Sequence, residues 1–438
     1  MVDRDEARFA QASRQMFEAV ALDHPEPHLH DGGLLIPKVQ DRWRLNKPPL
    51  IYWLQAGAAS MCTLGDPLAD AIWMYRLPSL AAFLVTVLAT WSLGRRLYPG
   101  AVGLYAGLMI ALAPVFMWEA HQARADQVMI ACTTLAMRSL WIAFDTGRRR
   151  EALTAAIFVA LGVLTKGPVT PMIVLLAIAF VATVTRSGII VRRAHLVVGS
   201  VIVLAAIFAW MVPVAMRIGT RTYVDLILDE TVGRSMDAKE GHWGPPGYHL
   251  VLLVILFWPG VLLTGLAIRR ALRLARNGAW RRPWTGRAPE TFLLGWILPS
   301  WIVFELVSTK LPHYTMPLYP PLAILSARAL FAGPRLIGLD ERLSRIGFRA
   351  WALPAVVLLT LAPSLLYGAL RMDQPLVVIP MVPVSVFGLL VMFVMWKQIE
   401  RGSFIWATRL AFVCSGLAGA LIFGVLFPRA ESLWITRQ

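Results

Sequence analysis

The chain has 438 residues, of which 57% are hydrophobic and only 16% are charged, and its mean hydropathy is +0.61. A soluble domain carries about 25% charged residues, so this composition excludes an ordinary soluble protein and indicates a protein of the lipid bilayer. The net charge of +16 does not point to nucleic acid as a partner, because the arginines lie in short loops between apolar runs, as in membrane proteins.

The first 76 residues contain no run of roughly 20 apolar residues, the length that a spanning helix needs. Segment 50–64 is apolar but short, and it carries Tyr52 and Trp53 near its start. Such a segment is typical of a helix lying at the membrane interface. We therefore expect interfacial helices in residues 1–76 and no full membrane span.

Apolar runs of spanning length then recur along the rest of the chain and predict an all-α, polytopic transmembrane bundle of about twelve spans. They lie near residues 77–94, 100–118, 126–144, 152–165, 168–185, 196–214, 248–268, 290–307, 314–331, 351–370, 376–396 and 404–427. The last three runs form a C-terminal tail without a sizeable soluble domain.

The loop charges predict the orientation of this bundle. Alternate loops are rich in arginine, for example Arg95-Arg96, Arg148-Arg149-Arg150 and the loop 269–287, and the positive-inside rule places them in the cytoplasm. The intervening loops, the long loop 215–247 and residues 1–76 then face outwards. Because nothing precedes residues 1–76 to carry them across the membrane, we expect that an N-terminal helix is missing from this sequence.

Ionisable residues near membrane depth are costly, and they therefore point to function. In this chain they gather on the outward side, where we expect one polar cavity. The outward set is Asp5, Glu6, Arg8, Asn46, Lys47, Glu119, His121, Arg124, Asp126, Lys166, Glu230, Arg234, His242, His249, Lys310 and His313.

Five sequence blocks of this outward set carry a resemblance to a known family. They are Asp5-Glu6-Ala7-Arg8-Phe9-Ala10, Asn46-Lys47-Pro48-Pro49-Leu50-Ile51-Tyr52-Trp53-Leu54, Ala123-Arg124-Ala125-Asp126, Leu164-Thr165-Lys166-Gly167-Pro168 and Ser308-Thr309-Lys310-Leu311-Pro312-His313-Tyr314-Thr315-Met316-Pro317. In this order they resemble the dolichyl-phosphate-mannose–protein mannosyltransferase superfamily, whose bacterial relatives include aminoarabinose transferases. The resemblance spans residues 3 to about 330. In that family the first block directly follows the first transmembrane helix, which agrees with the expected missing helix.

The resemblance implies a GT-C fold and a glycosyltransferase of the bacterial inner membrane, with its active site facing the periplasm. The donor would be a sugar on a polyprenyl phosphate, and the acceptor a lipid such as lipid A or a protein hydroxyl. Asp5 would act as general base with Asp126 as the second carboxylate, since a carboxylate within hydrogen-bond reach can accept the acceptor's proton. Arg8, Lys47, Lys166 and Lys310 would bind the donor phosphate, whose developing charge needs fixed cations. Secondary contacts would come from Glu6, Arg124, Glu230, Arg234, His242 and His313.

The resemblance further implies three regions: residues 1–76 as a periplasmic first-loop segment, 77–331 as the catalytic membrane module with outer loop 215–247, and 332–438 as C-terminal helices. Aminoarabinose transferases often have a glutamate where this chain has Asn46, which weakens any metal site built on that position with His242. A divalent metal is nevertheless kept as a candidate cofactor.

Each candidate residue also has a plain structural interpretation. Asp5 and Glu6 could be a solvated helix start, Lys47 an interfacial anchor and His242 a solvated loop histidine. At the level of function, the alternative is a multi-pass lipid or sugar transporter or flippase, which should show related broken helices near the midplane. We find no internal repeat, and the charges lie at the outer surface, which favours the transferase. A non-catalytic relative is the third hypothesis.

Overall fold

The computed structural model describes residues 4–22, 31–45, 47–223, 225, 244–277, 288–337 and 381–426, and these residues are almost entirely helical. The predicted run 351–370 and most of the outer loop, including Glu230, Arg234 and His242, lie outside the described residues. Asn46 lies outside them as well.

Helices in the first half of the chain are α1 (Arg4–Ala21), α2 (Leu50–Thr63), α3 (Ile72–Leu97), α4 (Val102–Ala111), α5 (Pro114–Ala120), α6 (Asp126–Thr146), α7 (Arg149–Lys166), α8 (Val169–Thr185), α9 (Gly188–Ala194) and α10 (Leu196–Ile218). The second half contains α11 (Tyr248–Leu256), α12 (Val261–Asn277), α13 (Pro289–Leu306), α14 (Tyr319–Ile337), α15 (Met381–Glu400) and α16 (Phe404–Leu421). A small antiparallel hairpin, β1 (Lys38–Val39) and β2 (Arg42–Trp43), lies between α1 and α2.

The all-α fold is confirmed, and the described helices from α3 onwards overlap the predicted apolar runs, except the short helix α9, which lies in the loop between runs 168–185 and 196–214. Two runs are each divided into two helices. Run 100–118 forms α4 and α5, which meet at a bend of 59°, and Pro114 begins the second of them. Proline has no N–H to continue the hydrogen-bond ladder of the preceding helix. Run 248–268 forms α11 and α12, with Pro259 and Gly260 at the break.

Within the described ranges, four helices are long and apolar enough to cross a membrane, or five if the bent pair α4 and α5 forms one span. The prediction of about twelve spans is therefore not confirmed by helix length and composition. The helix α10 carries exposed apolar side chains such as Val197, Phe208 and Met216, as expected for a surface in contact with lipid.

The described residues between 4 and 75 form a layer against one end of the bundle, which we call the outer end. Phe9 and Met16 of α1, Tyr52 of α2 and Tyr75 of α3 share one buried apolar cluster. The helix α2 occupies the predicted interfacial segment and ends where Leu64 adopts a left-handed backbone with φ of 54°. This layer holds the start of α1 at the outer end of the bundle.

Buried polar contacts fix the register of this outer layer. Gln15 of α1 accepts a hydrogen bond from the Gln40 backbone N–H at 2.9 Å and donates to the Gln40 carbonyl at 3.2 Å. Ser13 donates to Gln55 of α2 at 2.6 Å. Buried polar groups are expensive unless paired, so these contacts select one packing of α1 on the hairpin and on α2.

Candidate active site

Asp5 lies in the first turn of α1, where its carboxylate is 47% exposed and faces two guanidinium groups. One Arg8 terminal nitrogen lies 3.6 Å from Asp5 Oδ1, and one Arg124 terminal nitrogen lies 3.9 Å from Asp5 Oδ2. Arg8 follows Asp5 by three residues on the same helix face, whereas Arg124 approaches from the segment before α6. Asp5 is thus an oriented but accessible carboxylate.

Glu6 has a different environment from its neighbour, because its side chain is fully buried. Arg76 of α3 donates to both carboxylate oxygens, from Nε at 2.7 Å and from Nη2 at 3.0 Å. The Ala123 backbone N–H donates to Oε1 at 3.0 Å. This bidentate pair ties α1 to α3 and to the segment that carries Arg124. Glu6 therefore holds the site together and does not line its opening.

Asp126 opens α6, and its Oδ1 accepts a hydrogen bond from Lys166 Nζ at the end of α7. Both side chains are buried or nearly so, and Lys166 also lies over the ring of Tyr314 at 5.5 Å from the centroid. Asp126 and Lys166 therefore form a compact ion pair. This contact leaves Lys166 less available for a phosphate than the sequence alone predicts.

Glu119, Arg124 and His313 close the site on the side of the bundle. Arg124 donates to Glu119 Oε1 at 3.2 Å, and His313 places Nδ1 at 3.8 Å from Glu119 and Nε2 at 3.7 Å from Asp126. Burial lowers the pKa of His313 to about 3, and the nearby cations Lys166 and Arg124 act in the same direction although Asp126 opposes them. His313 is therefore neutral at physiological pH.

The two other predicted phosphate-binding lysines lie at the edges of this cluster. Lys47 precedes α2 and is close enough to His313 for its charge to lower the pKa of the imidazole. Lys310 is buried, donates to the Val307 carbonyl at 3.1 Å and packs beside Gly244. The structure thus brings Asp5, Arg8, Arg124, Asp126, Lys166 and His313 into one cluster, and it places Lys310 among the residues near Gly244.

Arg76 and Arg44 also belong to this region, although the sequence motifs did not point to them. The ion pair between Arg76 and Glu6 joins residues 70 positions apart, which no local motif records. Arg44 donates from Nε to the Tyr52 hydroxyl at 3.0 Å, and it lies three residues before Lys47. The available signal for Arg44 was a cation two residues before the block that begins at Asn46. In the part of the chain that the structure describes, no group of three or more His, Cys, Asp or Glu side chains could hold a metal ion.

Comparisons with known proteins show what the sequence and the fold are similar to. Residues 46–212 match the family model described as dolichyl-phosphate-mannose-protein mannosyltransferase. The fold is similar to the crystal structure of ArnT from Cupriavidus metallidurans bound to undecaprenyl phosphate, with a TM-score of 0.73 and 19% identity over 97% of this chain and 74% of that chain. The chain therefore has a GT-C-like fold, and part of its sequence is similar to the mannosyltransferase family. The apolar helices of spanning length, together with the similarity to these proteins, indicate that this is a multi-pass membrane protein.

Curated relatives of this GT-C chain carry a specific name. The undecaprenyl phosphate-alpha-4-amino-4-deoxy-L-arabinose arabinosyl transferase of Pseudomonas aeruginosa (strain UCBPP-PA14) is 29% identical over 344 residues, covering 76% of this chain and 56% of that protein. The protein of the same name from Edwardsiella ictaluri is 26% identical over 381 residues, covering 82% and 61%. The chain thus spans little more than half the length of these relatives.

Proposed function

We propose that this protein is an integral-membrane glycosyltransferase that moves a sugar from a polyprenyl-phosphate donor to a hydroxyl of an acceptor. The observation that carries the proposal is the half-exposed carboxylate of Asp5 between Arg8 and Arg124, set in a buried ionic cluster of a GT-C fold. The names of the curated relatives, and the undecaprenyl phosphate bound to the similar structure, support this class of donor.

In the proposed reaction the acceptor hydroxyl oxygen attacks the anomeric carbon of the donor sugar. The bond between that carbon and the phosphate oxygen breaks, and polyprenyl phosphate leaves with the bonding electron pair. Asp5 takes the proton from the attacking hydroxyl, which requires a carboxylate that a substrate can reach. The exposure of Asp5 meets this requirement, whereas buried Glu6 does not. A direct displacement of this kind inverts the anomeric centre.

The leaving phosphate gains charge and needs fixed cations in a water-poor site. Arg8 is the best placed of the predicted residues, because it is partly exposed and beside Asp5. Lys47 is the second, since its charge acts on the same cluster. Lys166 would hold Asp126 in place, and Arg124 would hold Asp5 and Glu119. Lys310 would serve only if the loop that carries it turns towards the donor.

We further propose the inner membrane as the location, with the active site facing the periplasm and a lipid or a protein as the acceptor. We also propose that the chain is divided into three regions: the periplasmic segment 1–76, the catalytic membrane module 77–331 and the C-terminal helices 332–438. The charge asymmetry of the loops supports the orientation, because the ionic cluster lies at the end opposite to the arginine-rich loops of the predicted topology.

The test is transfer of a radiolabelled sugar by membranes that carry the protein, with a panel of undecaprenyl-phosphate and dolichyl-phosphate sugars. We expect label to appear in a lipid or protein fraction and to depend on the polyprenyl phosphate. An inserted protein that transfers sugar from no polyprenyl donor would contradict the proposal. The transporter reading predicts a different result, namely movement of intact donor across vesicle membranes without breaking the sugar–phosphate bond.

A further inference from the structure

Within the described residues, Arg44 has no acidic partner, in contrast to Arg8, Arg76 and Lys166. Arg8 faces Asp5, Arg76 is bidentate to Glu6, and Lys166 is paired with Asp126. Among the residues that the structure describes, Arg44 forms no ion pair with a carboxylate. Its guanidinium instead interacts with the side chains of Tyr52 and Phe9. A half-buried guanidinium without an acid is unusual, because buried charges are normally paired.

Two aromatic residues hold Arg44 in one place. Its Nε donates to the Tyr52 hydroxyl at 3.0 Å, and the guanidinium carbon lies 4.9 Å from the centre of the Phe9 ring. Phe9 is in turn stacked on Tyr52 with ring centroids 5.5 Å apart, and both rings are buried. A guanidinium carries five N–H donors, of which this arrangement uses one. The donors on the two terminal nitrogens keep a fixed direction, and within the described part of the chain they are left for another acceptor.

This guanidinium lies close to the proposed general base. Phe9 follows Asp5 by four residues on α1, so the two side chains share a helix face. Burial raises the pKa of Tyr52 to about 12, and the charge of Asp5 acts in the same direction although Arg44 opposes it. The charges of Asp5 and Arg44 thus both act on the pKa of the Tyr52 hydroxyl.

We propose that Arg44 binds an oxyanion of a phosphate group on the substrate that lies beside Asp5. A planar fork of donors fits two oxygens of a phosphate, and such charge-assisted bonds are the strong ones. The aromatic support reduces the side-chain freedom that binding would otherwise remove. The phosphate belongs either to the polyprenyl donor or to a phosphorylated acceptor, and both offer the same chemistry to the guanidinium.

This inference rests on the proposed function for its substrates, and its test separates the two. The first arm measures the Kd of undecaprenyl phosphate for the purified full chain in detergent, which needs no turnover. The second arm measures KM for the acceptor that the transfer assay identifies. The variants are Arg44→Gln, which removes the charge, and Arg44→Lys, which keeps the charge and removes the fork.

Arg14→Gln is the matched control, because Arg14 lies on the same outer layer but pairs with Glu18 at 2.9 Å and faces Asp70 at 3.6 Å. We expect Arg44→Gln to raise either the Kd of undecaprenyl phosphate or the KM of the acceptor about 10- to 100-fold, the loss typical of a hydrogen bond to a charged group. Arg44→Lys should fall between Arg44→Gln and the wild type, and Arg14→Gln should leave both constants unchanged.

A higher Kd of undecaprenyl phosphate in Arg44→Gln would show that the phosphate belongs to the donor. A higher KM of the acceptor would show that it belongs to the acceptor. If Arg44→Gln is too unstable to purify, Arg44→Lys carries the test, since a lysine can still lie over Phe9. The inference is overturned if folded Arg44 variants match the wild type in both arms. It is also overturned if Arg14→Gln weakens binding as much as Arg44→Gln does, because the effect would then be one of net charge. A wild type that binds undecaprenyl phosphate but transfers no sugar would count against the proposed function alone.

Discussion

At the scale of single residues, the adjacent carboxylates Asp5 and Glu6 have separate roles. Asp5 is 47% exposed and Glu6 is fully buried, although both lie in the first turn of one helix. A helix turns by about 100° per residue, so neighbours face different surroundings. The family resemblance predicted Asp5 as general base and Glu6 as a secondary contact. The sequence could not predict the buried pairing of Glu6, because its partners Arg76 and Ala123 are distant along the chain.

Removing the partner of Glu6 should lower stability more than any change at Asp5. We expect Arg76→Ala to cost about 3–5 kcal/mol, the range for breaking a buried ion pair by removing one partner. The partial exposure of Arg76, at 21%, places the value near the lower end. The measurement is thermal unfolding in detergent, with Asp5→Asn as the comparison. Equal melting temperatures for Arg76→Ala and the wild type would refute the structural role of this pair.

His313 should make the folded protein sensitive to acid. Its pKa in the folded protein is about 3, below the ordinary histidine value, so the unfolded chain binds a proton between these two pH values and the folded chain does not. Stability therefore falls as the pH drops below about 6.5, by on the order of 2 kcal/mol at pH 5. Melting temperatures at pH 7 and pH 5 should differ less in His313→Gln than in the wild type. An identical acid response in both proteins would show that His313 is not held neutral.

At the scale of elements, hydropathy predicted where the helices lie, because a bilayer demands long apolar runs. It could not predict how closely they approach each other. Gly94 of α3 and Gly103 of α4 face each other across a tight crossing, where a Cβ on Gly94 would lie 2.7 Å from the Gly103 Cα. Small residues allow such close approach in membrane bundles. The bend between α4 and α5 was missed for a related reason, since Pro114 lies inside a continuous apolar run.

A single methyl group at this crossing should disturb it. In Gly103→Ala the new Cβ would lie 2.5 Å from the Trp91 carbonyl oxygen and 2.7 Å from the Arg95 backbone nitrogen, so the backbones must separate. We expect destabilisation of about 1–3 kcal/mol, typical of overpacking. Gly57→Ala on α2 is the control, because nothing lies within 4 Å of its added Cβ. Equal melting temperatures for the two variants would argue against a close α3–α4 contact.

At the scale of the whole molecule, the order of five motif blocks predicted a GT-C fold that the comparisons support across 97% of the chain. The blocks carry this information because residues that meet in space, such as Asp5 and Arg124 or Asp126 and His313, lie far apart in the sequence. The sequence could not predict that Lys166 is paired with Asp126, nor that Arg44 has no acidic partner among the residues that the structure describes. Pairing depends on side-chain direction, which spacing alone does not encode.

The central claim is that Asp5 removes the proton from the acceptor hydroxyl during transfer from a polyprenyl-phosphate sugar. The most direct measurement is the turnover rate of Asp5→Asn together with its Kd for undecaprenyl phosphate, compared with the wild type. Glu18→Gln is the control, because it removes a carboxylate from the same helix at the Arg14 pair.

Loss of a general base lowers the rate by about 100- to 10,000-fold. We expect a loss of this size in kcat for Asp5→Asn, with an unchanged melting temperature and donor affinity within a few-fold of the wild type. Glu18→Gln should keep full activity. Full turnover by a folded, donor-binding Asp5→Asn protein would contradict the account and would leave Asp126 as the remaining carboxylate to test.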